Sequence, residues 1–384
     1  MRRLLVLASA MVFFDVAFYS AIAPLLPGYV AQFGLSKAEA GILSAAYAAG
    51  TLVASLPAGL AATRFGPRRC VISGLLVLGL SSLAFGFARD VALLDAARFV
   101  QGVSGALIWS GALTWLITTA PDEKRGAVIG TALGTAVAGA LVGPALGAIA
   151  AEVGTEPVFG SVLLITLVLA LLASRQPDAR APEEQSLREV AATIVGRSVL
   201  TATAFVAIPS LMFGAIEVLV PLRIAALGGG DAEIAAGFIV GAALEATLAP
   251  IAGRYSDRVG SRSPYTIGLT ICAAAMATIA IGQALGTILA GLIATSLGAG
   301  ICFTPALAML SEAAESSRLH QGFAAGLSNM AWAAGQVAGG VAGGVLANVA
   351  GYAIPSFGIA ALLLATVAYA RRALAPVPTP GAGG

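Results

Sequence analysis

The sequence contains 384 residues, of which 58% are hydrophobic and 10% are charged, and its formal net charge is +2. Mean hydropathy is +0.93, well above the level of an ordinary soluble chain. These values exclude a soluble globular protein and predict a chain that crosses the membrane many times. The three cysteines lack CxxC spacing and His320 is the only histidine, which argues against a disulfide framework, a zinc site and a catalytic triad.

The apolar segments predict twelve transmembrane helices, because about twenty predominantly apolar residues cross the hydrocarbon core of a bilayer. The first apolar run continues past the length of a signal peptide, so it is predicted to remain in the protein as a span. In chain order the predicted spans cover residues 4–33, 38–62, 70–88, 91–119, 126–152, 157–174, 198–227, 232–253, 264–283, 285–311, 322–350 and 352–370.

The lysine and arginine residues predict the orientation of these spans. Seventeen of the 21 fall on the side of the two termini, whereas Lys37, Arg89 and Arg223 fall on the opposite side. Because loops rich in Lys and Arg stay in the cytoplasm, both termini are predicted to be cytoplasmic, in a multi-pass protein of the inner (plasma) membrane.

A polar segment divides the chain into two parts of six spans each. It covers residues 175–197 and is predicted to be a cytoplasmic linker between residues 1–174 and residues 198–372. The Pro- and Gly-rich residues 373–384 are predicted to form a disordered tail.

The two parts share a loop motif, which predicts an internal duplication. The loop after span two reads GLAATRFGPRR from Gly59 to Arg69, and the loop after span eight reads GRYSDRVGSR from Gly253 to Arg262. The loops after spans four and ten also correspond, and both end in glycine. Duplicated six-helix units are typical of secondary transporters.

With this repeat the chain resembles the major facilitator superfamily, whose signature loop has the form G-x-x-x-D-R-x-G-R-[RK]. The resemblance implies an all-α membrane protein with twelve transmembrane helices in two pseudo-symmetric six-helix bundles. Thr63 replaces the motif aspartate in the first copy, whereas the second copy keeps it. The glycines would allow tight turns and the arginines would cap helix ends or pair with carboxylates, or the arginines would only fix the topology. The motif residues are Gly59, Arg64, Gly66 and Arg68 in the first copy and Gly253, Asp257, Arg258 and Gly260 in the second.

Span four contains ARFVQGVSGA, which matches a pattern of proton-coupled members of the superfamily. The resemblance implies that Arg98, which stays charged at any accessible pH, helps to control proton release. The alternative is a structural ion pair with Asp95, one helical turn away.

Span five contains GALVGPALGA, which resembles the motif of the drug:proton antiporter branch, although Ala148 stands where a second glycine is usual. Small residues four apart allow two helices to approach closely, and a proline bends a helix. Gly139, Gly143, Pro144 and Gly147 are therefore predicted to form a hinge or seal between the two halves. The alternative is ordinary small-residue packing.

Three carboxylates inside predicted spans are candidate functional residues, because ionisable groups are costly there. Asp15 and Glu217 hold corresponding places in spans one and seven and are predicted to face one central cavity. The pair resembles the acids of vesicular monoamine transporters and related bacterial multidrug exporters, which engage protons and cationic substrates. Glu245 would support them or serve a different proton step. Each carboxyl group could instead be neutral and hydrogen-bonded in packing. Pro24 and Pro27 predict a bend in span one.

Aromatic and polar residues of the spans are candidates for the cavity wall, because aromatic faces attract organic cations. Trp332 and Gln336 share one helical face, with Asn329 one turn earlier. The alternative is packing or an interfacial belt. The candidates are Phe18, Tyr19, Tyr47, Trp109, Trp115, Phe213, Asn329, Trp332 and Gln336.

Together these features predict a proton-coupled antiporter that exports hydrophobic or cationic small molecules by rocker-switch alternating access. There are two alternatives on the same fold. One is a metabolite exporter for a sugar, amino acid or siderophore-like compound, and the other is a proton symporter. A membrane-embedded enzyme is a remote alternative, since no HExxH or nucleophile motif is found. The expected partners are a small-molecule substrate, protons and the lipid bilayer, with no cofactor and no nucleic acid, for a monomer.

Overall fold

A computed structural model describes residues 2–121, 125–179, 196–317 and 321–373. These residues form thirteen α-helices and no β-strand, and twelve segments are long and apolar enough to cross a membrane, as predicted. The first span consists of two helices. The helices are α1 Arg2–Ser20, α2 Ile22–Phe33, α3 Lys37–Phe65, α4 Pro67–Gly86, α5 Val91–Thr119, α6 Arg125–Val153, α7 Thr155–Ser174, α8 Arg197–Ala226, α9 Asp231–Val259, α10 Arg262–Ile281, α11 Leu285–Ser316, α12 Gln321–Ala350 and α13 Ala353–Ala373.

Some predictions concern residues outside the described ranges. They include His320, residues 180–195 of the predicted linker and residues 374–384 of the predicted tail.

The described helices pack around two apolar cores, one for α1–α7 and one for α8–α13. The first core includes Leu26, Phe85 and Phe159, and the second includes Phe205 and Tyr265. We call these helix groups the first half and the second half.

The first span is interrupted at Ala21, between α1 and α2. Proline lacks the N–H group that an uninterrupted helix would offer to the carbonyl four residues earlier. For Pro24 this carbonyl belongs to Ser20, the last residue of α1. The span is therefore interrupted beside Pro24, where a bend was predicted, whereas Pro27 lies inside α2.

The duplicated loops adopt matching backbone conformations. Gly66 and Gly260 both have positive φ, 90° and 83°, a region that side chains strongly disfavour. Arg262 of the second copy donates a 2.5 Å hydrogen bond to the carbonyl of Arg371, at the end of α13. The two loops are thus structural counterparts.

Arg68 makes the equivalent contact in the first half. It donates a 3.0 Å hydrogen bond to the carbonyl of Gln176, just after α7, and lies 3.6 Å from the carboxylate of Asp178. Asp178 therefore supplies the acid that the motif lacks at Thr63, whose hydroxyl donates to the carbonyl of Leu60.

Two other charged residues of the motif loops make no ion pair with a described residue. Arg64 lies over the ring of Phe65, 5.6 Å from its centroid. Asp257 forms no ion pair with another described residue, so the predicted pairing of a motif arginine with a carboxylate is not found at Asp257.

The glycines of α6 pack against the first span. A Cβ atom at Gly139 would meet the carbonyl of Phe13, and one at Gly147 would meet the carbonyl of Ala21. The predicted close approach is thus present. These glycine contacts lie within the first half, to which α1, α2 and α6 all belong, and a hinge or seal between the two halves stays a prediction.

The two halves meet closely at the end of the bundle opposite the termini. Gly41 of α3 lies against Gly340 and Gly344 of α12, since glycines let helix backbones approach. At the same end, Lys37 Nζ donates a 3.3 Å hydrogen bond to the carbonyl of Ala347 and lies 4.3 Å from the ring centroid of Tyr352.

Candidate functional site

A cavity of about 590 Å³ lies between the two halves. It is lined mainly by apolar and aromatic side chains. Its lining includes the carboxylates of Asp15, Glu217 and Glu245 and, within the described residues, no Lys, Arg or His side chain. A cavity with this charge favours cations over anions.

The cavity extends toward the end of the bundle that carries both termini. Leu113 and Ile117 of α5 and Ser311 of α11 line it there. The α3–α12 contacts close the opposite end. The cavity is therefore approached from the side of the termini.

A second cavity of about 600 Å³ lies within the second half, between α8 and α13. Arg197, Phe205 and Tyr369 contribute to its lining, and the lining residues that the structure describes include no carboxylate. It is separate from the acid-lined cavity.

Seven of the nine predicted wall residues line the cavity between the halves: Tyr19, Tyr47, Trp109, Phe213, Asn329, Trp332 and Gln336. Phe18 and Trp115 do not. Phe18 packs against Phe159, with 5.9 Å between ring centroids, and Trp115 donates to the carbonyl of Pro177 over 3.2 Å.

Asp15 lies on α1 and is 1% exposed. Tyr47 Oη on α3 lies 3.0 Å from each of its carboxylate oxygens. Trp109 Nε1 on α5 donates a 3.1 Å hydrogen bond to Oδ2. Three helices of the first half therefore fix this carboxylate.

Glu217 lies on α8 and accepts a 2.7 Å hydrogen bond from Tyr19 Oη on α1. Gln336 Nε2 on α12 donates to the same Tyr19 oxygen over 3.0 Å. Tyr19 therefore joins the first half to two helices of the second. Its ring centroid lies 4.7 Å from that of Tyr47, the residue that donates to Asp15, so the two acids share one connected group.

Arg98 lies behind this group and is 1% exposed. Its guanidinium donates to the carbonyls of Phe18 and Tyr19, over 3.5 and 3.2 Å, and to Gln101 Oε1 over 3.2 Å. These two carbonyls belong to the end of α1, where the helix is interrupted. A cation suits this position because it complements the negative end of the helix dipole.

The predicted alternative of an ion pair between Arg98 and Asp95 is wrong. Asp95 Oδ1 has no described hydrogen-bond partner. Arg98 instead reaches the carbonyls that the break in the first span makes available.

Glu245 lies on α9 and lines the cavity from the second half. Sequence reasoning missed two aromatic residues near it, Phe238 on α9 and Phe303 on α11, which also line the cavity. Helical spacing could have identified Phe238, because it precedes Glu245 by seven residues and both therefore lie on one helical face.

The sequence profile of the Major Facilitator Superfamily matches residues 6–314 and 210–383. The chain is 33% identical over 129 residues to "MFS-type transporter ppzB" of Metarhizium majus, covering 32% of this chain and 28% of that protein. It is 32% identical over 109 residues to "Multidrug resistance protein 2" of Bacillus subtilis, covering 28% of this chain and 27% of that protein. The matched stretches thus span less than a third of each relative.

The fold is similar to that of a solved D-xylose-proton symporter. The TM-score is 0.77 at 17% sequence identity, over 98% of each chain. Three findings lead to one conclusion: the two halves of six spans each, the acid-lined cavity between them and the profile match over most of the chain. The chain belongs to the major facilitator superfamily of membrane transporters.

Proposed function

We propose that the protein is a proton-coupled antiporter that exports hydrophobic or cationic small molecules. The observation that carries the proposal is the cavity between the halves, whose lining contains three carboxylates and no basic side chain within the described residues. The Bacillus subtilis relative is named as a multidrug resistance protein, which is in keeping with export.

The orientation of the cavity supports loading from the cytoplasm. Lys and Arg are concentrated at the end of the bundle that carries both termini, and this end is cytoplasmic by the positive-inside rule. The cavity is approached from this end, so we assign the conformation as inward-open in the plasma membrane. The α3–α12 contacts then form the closed outer gate.

Exchange requires that protonation of the cavity and binding of the substrate cation oppose each other. A desolvated carboxyl group binds a proton more readily than one in water. Glu217 accepts its hydrogen bond from Tyr19 across the two halves, and Asp15 accepts from Tyr47, whose ring packs against that of Tyr19. Protonation of Glu217 removes the negative charge that attracts a cation and weakens the bond from Tyr19. Release of substrate would accompany this step on the outer side.

Arg98 acts as a positioning residue in this scheme. It holds the backbone carbonyl of Tyr19 while the side chain of Tyr19 contacts Glu217. The first half therefore presents Tyr19 in a fixed position to the second half.

Inside-out membrane vesicles test the proposal. Respiration acidifies their lumen, and addition of a transported amine should release protons from the lumen, which a pH-sensitive dye reports. Asp15→Asn and Glu217→Gln should abolish this release while the protein is still inserted. Glu233→Gln, at an exposed cap on the outer end of α9, is the matched control and should behave as wild type. Absence of release for a broad panel of lipophilic amines would contradict cation antiport.

A further inference from the structure

Glu245 differs from the other two acids of the cavity in its hydrogen bonds. Asp15 accepts from Tyr47 and Trp109, and Glu217 accepts from Tyr19. No described residue donates a hydrogen bond to the carboxylate of Glu245, although it lines the same cavity. Glu245 is half-buried, and an ionised carboxylate that is partly withdrawn from water is costly unless a donor or a cation satisfies it.

The backbone around Glu245 packs closely against α11. Gly300 has no side chain, and a Cβ atom there would lie 3.0 Å from Glu245 Cα and 3.2 Å from its carbonyl oxygen. This close approach places Phe303, one helical turn beyond Gly300, beside the cavity face of Glu245.

The aromatic ring of Phe303 belongs to a wall that extends toward Glu217. Its centroid lies 6.0 Å from that of Phe213 on α8, and Phe213 precedes Glu217 by four residues, on the same face. Phe238, two turns before Glu245 on α9, also lines the cavity. These three aromatic rings line the cavity from the second half, as Glu245 does, and a phenyl ring has no hydrogen-bond donor to offer the acid.

We propose that Glu245, with Phe213, Phe238 and Phe303, forms the subsite that binds the ammonium group of a protonated lipophilic amine. An ammonium group supplies the N–H donors that Glu245 lacks, and the aromatic faces attract its positive charge. Asp15 and Glu217, which already have protein donors, then serve the proton. The assignment rests on the proposed transport of cations and adds a division of roles among the three acids.

Binding to the purified protein tests this subsite without any proton gradient. The probes are doxorubicin, which carries a primary ammonium group, and N-acetyldoxorubicin, its neutral amide. Wild type should bind the amine more tightly than the amide. Glu245→Gln should reduce affinity for the amine about ten- to hundredfold, the range of a charge-assisted hydrogen bond, and leave affinity for the amide unchanged. Unchanged binding of the amide also reports that the variant is folded.

Two further variants complete the test. Glu245→Asp keeps the charge and should retain most of the preference for the amine, whereas Glu233→Gln, on the same helix but at its exposed start, should bind as wild type. The proposal is overturned if wild type does not prefer the amine, or if Glu245→Gln keeps the preference. Loss of the preference in Glu217→Gln alone would assign the ammonium to Glu217 and would leave the proposed antiport intact. If wild type prefers the amine but vesicles show no proton release, the proposed antiport would be contradicted, whereas the proposed ammonium subsite would stand.

Discussion

Tyr19 Oη donates a 2.7 Å hydrogen bond to Glu217, a residue 198 positions away in the other half of the molecule. The bond joins α1 to α8 at the cavity. Arg98 holds the Tyr19 carbonyl on one side, and Gln336 donates to the Tyr19 hydroxyl on the other. A change in the protonation of Glu217 therefore acts directly on a contact between the halves.

Removal of this hydroxyl tests the contact. Tyr19→Phe keeps the ring that packs 5.5 Å from the centroid of Trp332 but removes the donor to Glu217. We expect proton-coupled transport to fall by about tenfold or more and stability to fall by about 1–3 kcal/mol, because Glu217 loses its hydrogen-bond donor. Transport rates in vesicles measure the effect. Tyr255→Phe, at a 45% exposed tyrosine, is the control, and equal rates for the two variants would contradict the role of Tyr19.

Replacement of Arg98 by lysine separates its charge from its geometry. Lysine keeps the positive charge but lacks the planar group that reaches the carbonyls of Phe18 and Tyr19 together with Gln101. We expect Arg98→Lys to lose most transport and about 1–3 kcal/mol of stability, because buried acceptors lose their donors. Thermal unfolding in detergent and vesicle transport measure the two effects. Wild-type transport in the lysine variant would mean that charge alone is sufficient.

Competition between protons and cations predicts the pH dependence of binding. A protonated carboxyl group is neutral and no longer attracts a cation, so affinity should fall as the pH falls. Tetraphenylphosphonium is a suitable ligand because its own charge does not titrate. Its dissociation constant, measured from mildly alkaline to mildly acidic pH, should rise, and the rise should be shallower in Glu217→Gln. Binding independent of pH would exclude competition at these acids.

The glycine contact at the outer gate predicts a shift between conformations. A Cβ atom at Gly41 would lie 2.5 Å from the carbonyl oxygen of Gly340, so Gly41→Ala should push α3 and α12 apart and disfavour the inward-open state. Hydrogen exchange should become faster at the outer ends of both helices. Gly28→Ala, where no atom lies within 4 Å of the added carbon, should leave exchange unchanged. Equal exchange in the two variants would show that the gate tolerates the added carbon.

The close packing of α6 predicts a stability effect of a different kind. Gly143→Ala would bring a Cβ atom into Ser20 and the carbonyl of Ala17, and such overpacking costs about 1–3 kcal/mol. Thermal unfolding should therefore occur at a lower temperature. Gly134→Ala on the same helix meets no atom within 4 Å and should unfold as wild type. A fully stable Gly143→Ala protein would mean that α1 and α6 separate at little cost.

The sequence predicts the twelve spans and most of the cavity wall because both depend on local patterns. Hydropathy identifies the spans, and helical spacing places Trp332 and Gln336 on one face. The partners of Arg98 depend instead on the break at Ala21, which makes the carbonyls of Phe18 and Tyr19 available. Sequence spacing near Arg98 suggests only Asp95, which does not bind it.

Contacts between residues far apart in the sequence are also not determined by local patterns. The loop arginine Arg68 finds its acid at Asp178, 110 residues further along the chain, and not within its own motif. The Phe303 ring meets Phe213 only because α8 and α11 pack in the second half. Such partners depend on how helices from distant parts of the sequence are arranged.

The most direct test of the central claim is proton-driven transport by the purified protein in liposomes. With tetraphenylphosphonium present, an imposed pH gradient should drive its accumulation on the acidic side, and collapse of the gradient should abolish the accumulation. Glu217→Gln should accumulate no more than protein-free liposomes. Accumulation that is independent of the gradient, or that persists in Glu217→Gln, would contradict a proton-coupled antiporter that uses this acid.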